Sequence, residues 1–189
     1  MPKGPVFESL LARRSTRSFR EEKVSREDIE TLLEAAMAAP SSCNLQPWSF
    51  VVVDEEETLA QLKAVSPLGQ YNAPLAILIC GETNHLSWKG GWQFDCGAAA
   101  QSMMVEAVEL GLASVCVGGF DGAAAARLLH IPEGVQPCVI IELGYPAEEK
   151  VPHSWYDPKA VHWQQYQADN GRVMRTVDML KKDMDSGLC

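Results

Sequence analysis

Residues 74–80 read Pro74-Leu75-Ala76-Ile77-Leu78-Ile79-Cys80, an apolar run without a polar interruption. A strand with one wet face alternates apolar with polar; a run that does not alternate is covered on both faces. Three further runs are mainly apolar: Trp48–Val53 (WSFVVV), 113–117 (ASVCV) and 137–143 (PCVIIEL). WSFVVV is likewise read as a strand buried on both faces. Helical patterns lie between and before these runs. A short helix is expected over 6–13, and residues 15–23 read as a turn or extended segment. Ser25 is a plausible N-cap with Asp28 three residues on, and Ile29, Leu32, Leu33, Ala36 and Met37 follow at helical spacing until Pro40. Asp54 with Glu57 opens a helix to about Val65. A longer helix spans about 95–110, its stripe Cys96, Ala99, Ala100, Met103, Met104, Ala107 and Val108, with Gly111 as its C′ residue. Asp121 caps a helix over about 122–129, and the tail is read as helical from about 172 to 184. Apolar strands alternating with helices imply a central sheet covered on both sides, an α/β or α+β sandwich. This pattern leaves strand order and direction open.

At 189 residues, 47% of them hydrophobic, the chain is read as one globular domain, residues 1–189. Sixteen Lys and Arg against 25 Asp and Glu give a net charge of -9, which argues against nucleic-acid binding. No apolar run approaches the ~20 residues of a membrane span, and the N-terminal MPKGPVFESLLARRSTRSF lacks a secretory pattern. The six cysteines form no CxxC pair and no zinc spacing. The expectation is a reduced, cytoplasmic protein without a metal.

Three segments carry candidate chemistry. Arg13-Arg14-Ser15-Thr16-Arg17-Ser18-Phe19-Arg20 concentrates four of the eight arginines in an otherwise acidic chain. Guanidinium groups hold phosphate through forked hydrogen bonds, though a solvated basic turn has the same composition. Pro40-Ser41-Ser42-Cys43-Asn44-Leu45-Gln46-Pro47-Trp48 is a polar loop between a helix end and a strand. Val117-Gly118-Gly119-Phe120-Asp121 runs from a strand through two glycines into a helix, where bare backbone approaches a planar ligand or an anion. GxGxxG, GxSxG, GxxxxGK[ST] and HExxH are all missing, and the four histidines are scattered.

In this order, RRSTRSF, APSSCNLQPWSFVVV, APLAILIC, DCGAAAQSMMVEAVELGLASVCVGGFD and CVIIELGYPAEE resemble the nitroreductase family of FMN-dependent NAD(P)H oxidoreductases, over roughly residues 10–150. The resemblance implies an α+β fold, a three-layer α/β/α sandwich with a mainly antiparallel sheet. It also implies an intertwined homodimer with FMN at the interface and the Ala-rich helix in the dimer core. By the same resemblance Arg13, Arg14 and Ser15 hold the FMN phosphate and ribityl chain, and Arg17 sits at the pyrimidine edge. Ser41, Ser42, Asn44 and Gln46 come from the other subunit, and Gly118 and Gly119 lie near the flavin N5 edge. Lys150 or His153 completes the phosphate site. No side chain is expected to be catalytic in its own right, because the flavin carries the chemistry.

The implied activity passes hydride from NADH or NADPH to a nitroaromatic, quinone or enone by a ping-pong mechanism. The alternatives are a specialised flavin enzyme of reductive dehalogenation or flavin breakdown, and a flavin-binding regulatory protein with little turnover. Residues 81–94 are read as part of a lid.

Overall fold

The computed structural model of the chain describes residues 4–67, 69–83, 91–168, 171–172, 176 and 178. It divides into two compact units, Met1–Val151 and Pro152–Cys189. The first unit carries, in order, α1 (Pro5–Ala12), α2 (Arg26–Met37), β1 (Trp48–Val53), α3 (Glu56–Ala64), β2 (Leu75–Glu82), α4 (Trp92–Glu109), β3 (Ala113–Val117), α5 (Gly122–Leu128) and β4 (Val135–Gly144). In the second unit a short 3-10 turn, Pro158–Ala160, starts where the Asp157 side chain accepts from the Lys159 backbone N–H. Most of the anticipated tail helix and half of the lid segment, residues 84–90, lie outside the described residues.

The four strands order as β1-β2-β4-β3, and every neighbouring pair is antiparallel. Side-chain alternation along β2 and β4 builds two separate cores. Leu75, Ile77, Ile79, Val139, Ile141 and Leu143 face α2 and α4. Ala76, Leu78 and Ile140 face α3 and α5. The architecture is therefore a three-layer α/β/α sandwich. β2 is fully buried apart from its last residue, as its unbroken apolar run demands.

β1 differs from its reading. It is half-buried, with Ser49 exposed, because it is an edge strand with one neighbour only. The helix ends follow local chemistry closely. Ser25 Oγ accepts from Asp28 N at 3.0 Å, and Asp121 Oδ1 accepts from Ala124 N at 2.9 Å. Gly111, at φ +71°, closes α4, with Leu112 N donating to Ala107 O at 2.7 Å in a Schellman turn. α3 is the exception: Glu55 rather than Asp54 occupies its cap position, without a side-chain cap bond. Thr58 Oγ1 instead donates to the Glu55 carboxylate. Within the segment 81–94, Gly81 and Glu82 end β2 and Trp92 already opens α4. Trp92 lies across Gly81, whose hydrogen faces the indole ring.

Among the few buried polar groups, Glu142 is 1% exposed on the α3 side of β4, and its Oε2 makes no hydrogen bond among the described residues. Burial pushes its carboxyl up to about 7, against the pull of the Lys63 ammonium. Lys63 itself donates to Ala73 O at 2.6 Å. The folded protein therefore holds a proton that the unfolded chain releases nearer its ordinary 4.5. This stabilisation is complete below the unfolded value and is lost as the pH rises through about 7. The size is on the order of 3 kcal/mol, at 1.36 kcal/mol per pH unit. Glu142→Gln is expected to remove that slope, so the variant gains on the parent between pH 5 and pH 8 in urea unfolding. Parallel stability curves for the two proteins would refute the assignment.

Candidate functional site

The arginine-rich segment continues directly from α1. Arg13 N caps that helix by donating to Ser9 O at 2.9 Å. The chain then runs extended beside the free edge of β3. Ser15 bridges Ser114 in parallel register, and Thr16 N donates to Ser114 O at 3.0 Å. Phe19 anchors the far end, buried between the sheet and Asn72. Asn72 accepts from Phe19 N at 2.9 Å and donates to Phe19 O at 2.7 Å. Backbone pairing thus fixes where each arginine leaves the chain.

Two adjoining clefts open along this segment. The larger, about 360 Å³, is lined by Arg13, Arg14, Thr16, Ser114, Glu148 and Lys150 together with the C-terminal turn of α4 around Val108 and Leu112. The smaller, about 200 Å³, is lined by Thr16, Arg17, Ser18, Glu148 and Lys150. The Arg13 side chain makes no hydrogen bond or ion pair among the described residues. Its charge reaches Cys116, where it partly offsets the desolvation that pushes that thiol up. Arg14 Nε donates to Val151 O at 3.2 Å. Lys150 Nζ donates to Ser15 O at 3.0 Å, which ties the strand exit of β4 to the arginine segment. Arg17 Nε donates to Tyr71 Oη at 3.3 Å and Nη1 to Ser15 O at 3.4 Å. Ser15 lines neither cleft and takes part through its carbonyl. His153 belongs to the second unit.

Gly118 and Gly119 lie at the other end of β3. At about 3.3 Å per residue, Gly118 is roughly 13 Å along the edge from Ser114. Both glycines are exposed. A Cβ built on Gly118 meets nothing within 4 Å, so the space beside it is open. Gly119 is held by its carbonyl, which accepts from Ser66 Oγ at 2.9 Å.

The third group stands apart. Ser41 to Gln46 form a tight loop around a 3-10 turn, Ser42–Asn44, in which Cys43, Asn44 and Gln46 all have φ near +50°. Left-handed backbone at two non-glycine, non-asparagine positions costs of order 1–2 kcal/mol each. Ser41 Oγ offsets part of this by accepting from Gln46 N at 2.9 Å. The loop is also pinned to the first turn of α4, where buried Asp95 accepts from Ser42 N at 3.2 Å. Asp95 and Tyr71 are contributors that the sequence reading does not assign. Their roles depend on partners more than 50 residues away.

These groups do not meet within one chain. The loop sits at the N-terminal end of α4 and the arginine cleft at its C-terminal end. Asp95 and Val108 are roughly 20 Å apart at 1.5 Å per residue. β1, which follows the loop, and β3, which carries the glycines, are the two opposite edges of the sheet.

A profile of the nitroreductase family matches residues 10–68 and 69–145. A Methanothermobacter thermautotrophicus protein, provisionally named NADH dehydrogenase/NAD(P)H nitroreductase, is 35% identical over 170 residues, 87% of this chain and 89% of that one. The NAD(P)H-dependent FMN reductase of Bacillus subtilis is 26% identical over 182 residues, covering 85% of this chain and 73% of its own. Among solved structures, an FMN-dependent nitroreductase of Clostridium difficile superposes with a TM-score of 0.78 at 31% identity, over 85% of this chain and 99% of the other. The chain belongs to the nitroreductase family.

Proposed function

We propose that this NAD(P)H-dependent oxidoreductase binds FMN between two copies of the chain and reduces an electron-poor acceptor, of the nitroaromatic, quinone or enone class. The observation that carries the reading is the cleft lined by Arg13, Arg14 and Lys150, in which the Arg13 guanidinium makes no hydrogen bond or ion pair among the described residues. In a chain of net charge -9, three cations outnumber the two carboxylates, Glu148 and Glu149, around this cavity, and the excess positive charge suits an anion. A phosphate there is within reach of Arg13 as a forked donor and of Lys150 as a point charge. The open flank of Gly118 fits a flat ring system laid against bare backbone. Lys150, rather than His153, is the cation assigned to the phosphate end. When bound, FMN supplies the relay of reducing equivalents between nicotinamide and acceptor.

The chain's own part is to bind, to orient and to set charge. Arg17, fixed by Tyr71 and by the Ser15 carbonyl, places a permanent cation beside the smaller cleft, where negative charge on the ring edge is favoured. Ser41, Ser42, Asn44 and Gln46 of a second copy close the site, because the same residues of the first copy lie too far along α4. α4 presents a suitable face for such pairing: Phe94 is 77% exposed, and Gly97, one turn on, has open space at its Cβ position. Nicotinamide and acceptor take turns at one open face, so ping-pong kinetics are expected. Among the described residues no helix is long and apolar enough to cross a membrane. The five cysteines among the described residues are unbridged, which suits the cytoplasmic location proposed here.

The purified protein is expected to be yellow and dimeric. It should bleach at about 450 nm, where oxidised flavin absorbs, on mixing with NADH or NADPH, and recover colour when acceptor is added. A colourless protein that does not take up added FMN ends the proposal. Rapid FMN uptake without bleaching by either nicotinamide leaves a binding protein with little turnover. Asp95→Ala frees the loop from α4 and should weaken FMN retention about tenfold, the equivalent of one charge-assisted hydrogen bond. Asp95→Asn, which keeps an acceptor oxygen, should recover most of the loss in the same dialysis assay.

A further inference from the structure

Two side chains that line neither cleft hold the groups assigned to the ring end of the site. Ser66, 1% exposed just past the end of α3, donates its hydroxyl to Gly119 O at 2.9 Å. One residue earlier, Val65 O accepts from Asp121 N at 2.9 Å. These two bonds clamp the turn between β3 and α5. The clamp is also close-packed: a Cβ on Gly69 would lie 2.6 Å from Val117 Cγ1 and 2.8 Å from Ser66 Oγ. Gly119 is exposed, so water could satisfy its carbonyl equally well. What the buried hydroxyl adds is direction. A trans peptide sets its C=O and N–H in opposite senses. With the Gly119 carbonyl drawn toward Ser66, the Phe120 N–H points away from it, and that N–H donates to nothing among the described residues.

Tyr71 does the same for a side chain. Its Oη accepts from Arg17 Nε at 3.3 Å, and the guanidinium carbon stands 5.9 Å over the Tyr71 ring. Ser66 and Tyr71 thus reach up from one side of the sheet to the two ends of the proposed ring seat, the glycine turn and the smaller cleft.

Granted the FMN reading proposed above, on which this rests, we infer that Ser66 and Tyr71 are positioning residues that set the redox balance of the bound ring from opposite edges. Ser66 acts through the Phe120 N–H and Tyr71 through the Arg17 guanidinium. Their effects have opposite sign. The ring's N5 accepts a hydrogen bond when oxidised and carries a hydrogen of its own when reduced, so an N–H donor aimed at it favours the oxidised form. A fixed cation at the pyrimidine edge favours the reduced form, which carries more negative charge there.

The test compares the flavin-loaded parent with Ser66→Ala and Tyr71→Phe by dye-equilibrated potentiometry and by amide hydrogen exchange. In Ser66→Ala the affinity for reduced over oxidised FMN should rise about tenfold, which for a two-electron couple raises the midpoint potential by about 30 mV. In Tyr71→Phe the aromatic ring stays under the guanidinium and only the hydroxyl is lost. Its midpoint should fall, by less than the Ser66→Ala rise, because the Ser15 carbonyl still holds Arg17. FMN should slow exchange of the Phe120 amide in the parent and much less in Ser66→Ala. A merely structural role for the two residues would leave both potentials unchanged or move them in the same direction, and either pattern overturns the inference. An exchange rate of the parent's Phe120 amide that FMN does not alter also overturns it, and that measurement needs no variant. A parent that takes up no FMN overturns the FMN reading and this inference with it. Normal uptake by all three proteins with one common potential overturns only the roles of Ser66 and Tyr71.

Discussion

Arg13→Ala protein should lose its flavin during dialysis while keeping its fold. The side chain faces a cleft and makes no hydrogen bond or ion pair among the described residues, so its removal strands no partner inside the protein. Its backbone N–H, which caps α1, is untouched by the substitution. What is removed is a charge-assisted donor to phosphate, at about 3 kcal/mol. At 1.4 kcal/mol per decade, the Kd for FMN should rise roughly a hundredfold. Arg13→Lys keeps the charge without the planar fork and should fall between the two. Riboflavin, which lacks the phosphate, should bind the variant and the parent about equally. Full retention of FMN by Arg13→Ala, or an equal loss of riboflavin, would show that the phosphate lies elsewhere.

The largest stability effect is expected at a residue remote from that cleft. A Cβ on Gly81 falls 2.2 Å from Cε3 of Trp92 and 2.9 Å from both Cδ2 and Cζ3. The indole is a rigid plate, 8% exposed, within the core under α4, so it cannot swing aside as the end of a flexible chain would. Gly81→Ala should therefore cost about 3 kcal/mol, the upper end of overpacking. For a chain of this size Tm should drop by roughly 6–12 °C. Trp92→Leu is costly alone but vacates the space. In that background the added methyl should be nearly neutral, and the double-mutant cycle measures the clash directly. Additive losses would mean that the destabilisation comes from the strand backbone and not from the ring.

Much of the fold was legible because local chemistry and global architecture agree. Ser25, Asp121 and Gly111 each mark a helix end by a bond made within a few residues, and each bond is present. The unbroken run of β2 announces its central position in the sheet. WSFVVV carries the same signature yet lies at an edge, because apolarity records burial and not the number of neighbouring strands. Its inner face is covered by the helices, and its outer rim is left to solvent. A bulge in β4 at Cys138 was hidden for a related reason: Pro137 hints at an irregularity, but only the register of β2 shows where the extra residue falls. At the candidate site, the arginine cluster stood out by composition. Tyr71 and Asp95 did not, since each acts on a partner more than 50 positions away in the chain.

In the proposed dimer, the separation of the two groups of candidate residues along α4 has a genetic consequence. A chain crippled at Arg13 and a chain crippled at Asn44 each carry one intact end. Mixed and allowed to exchange subunits, the two dead parents should regain one working centre per hybrid pair, whereas neither regains any when mixed with itself.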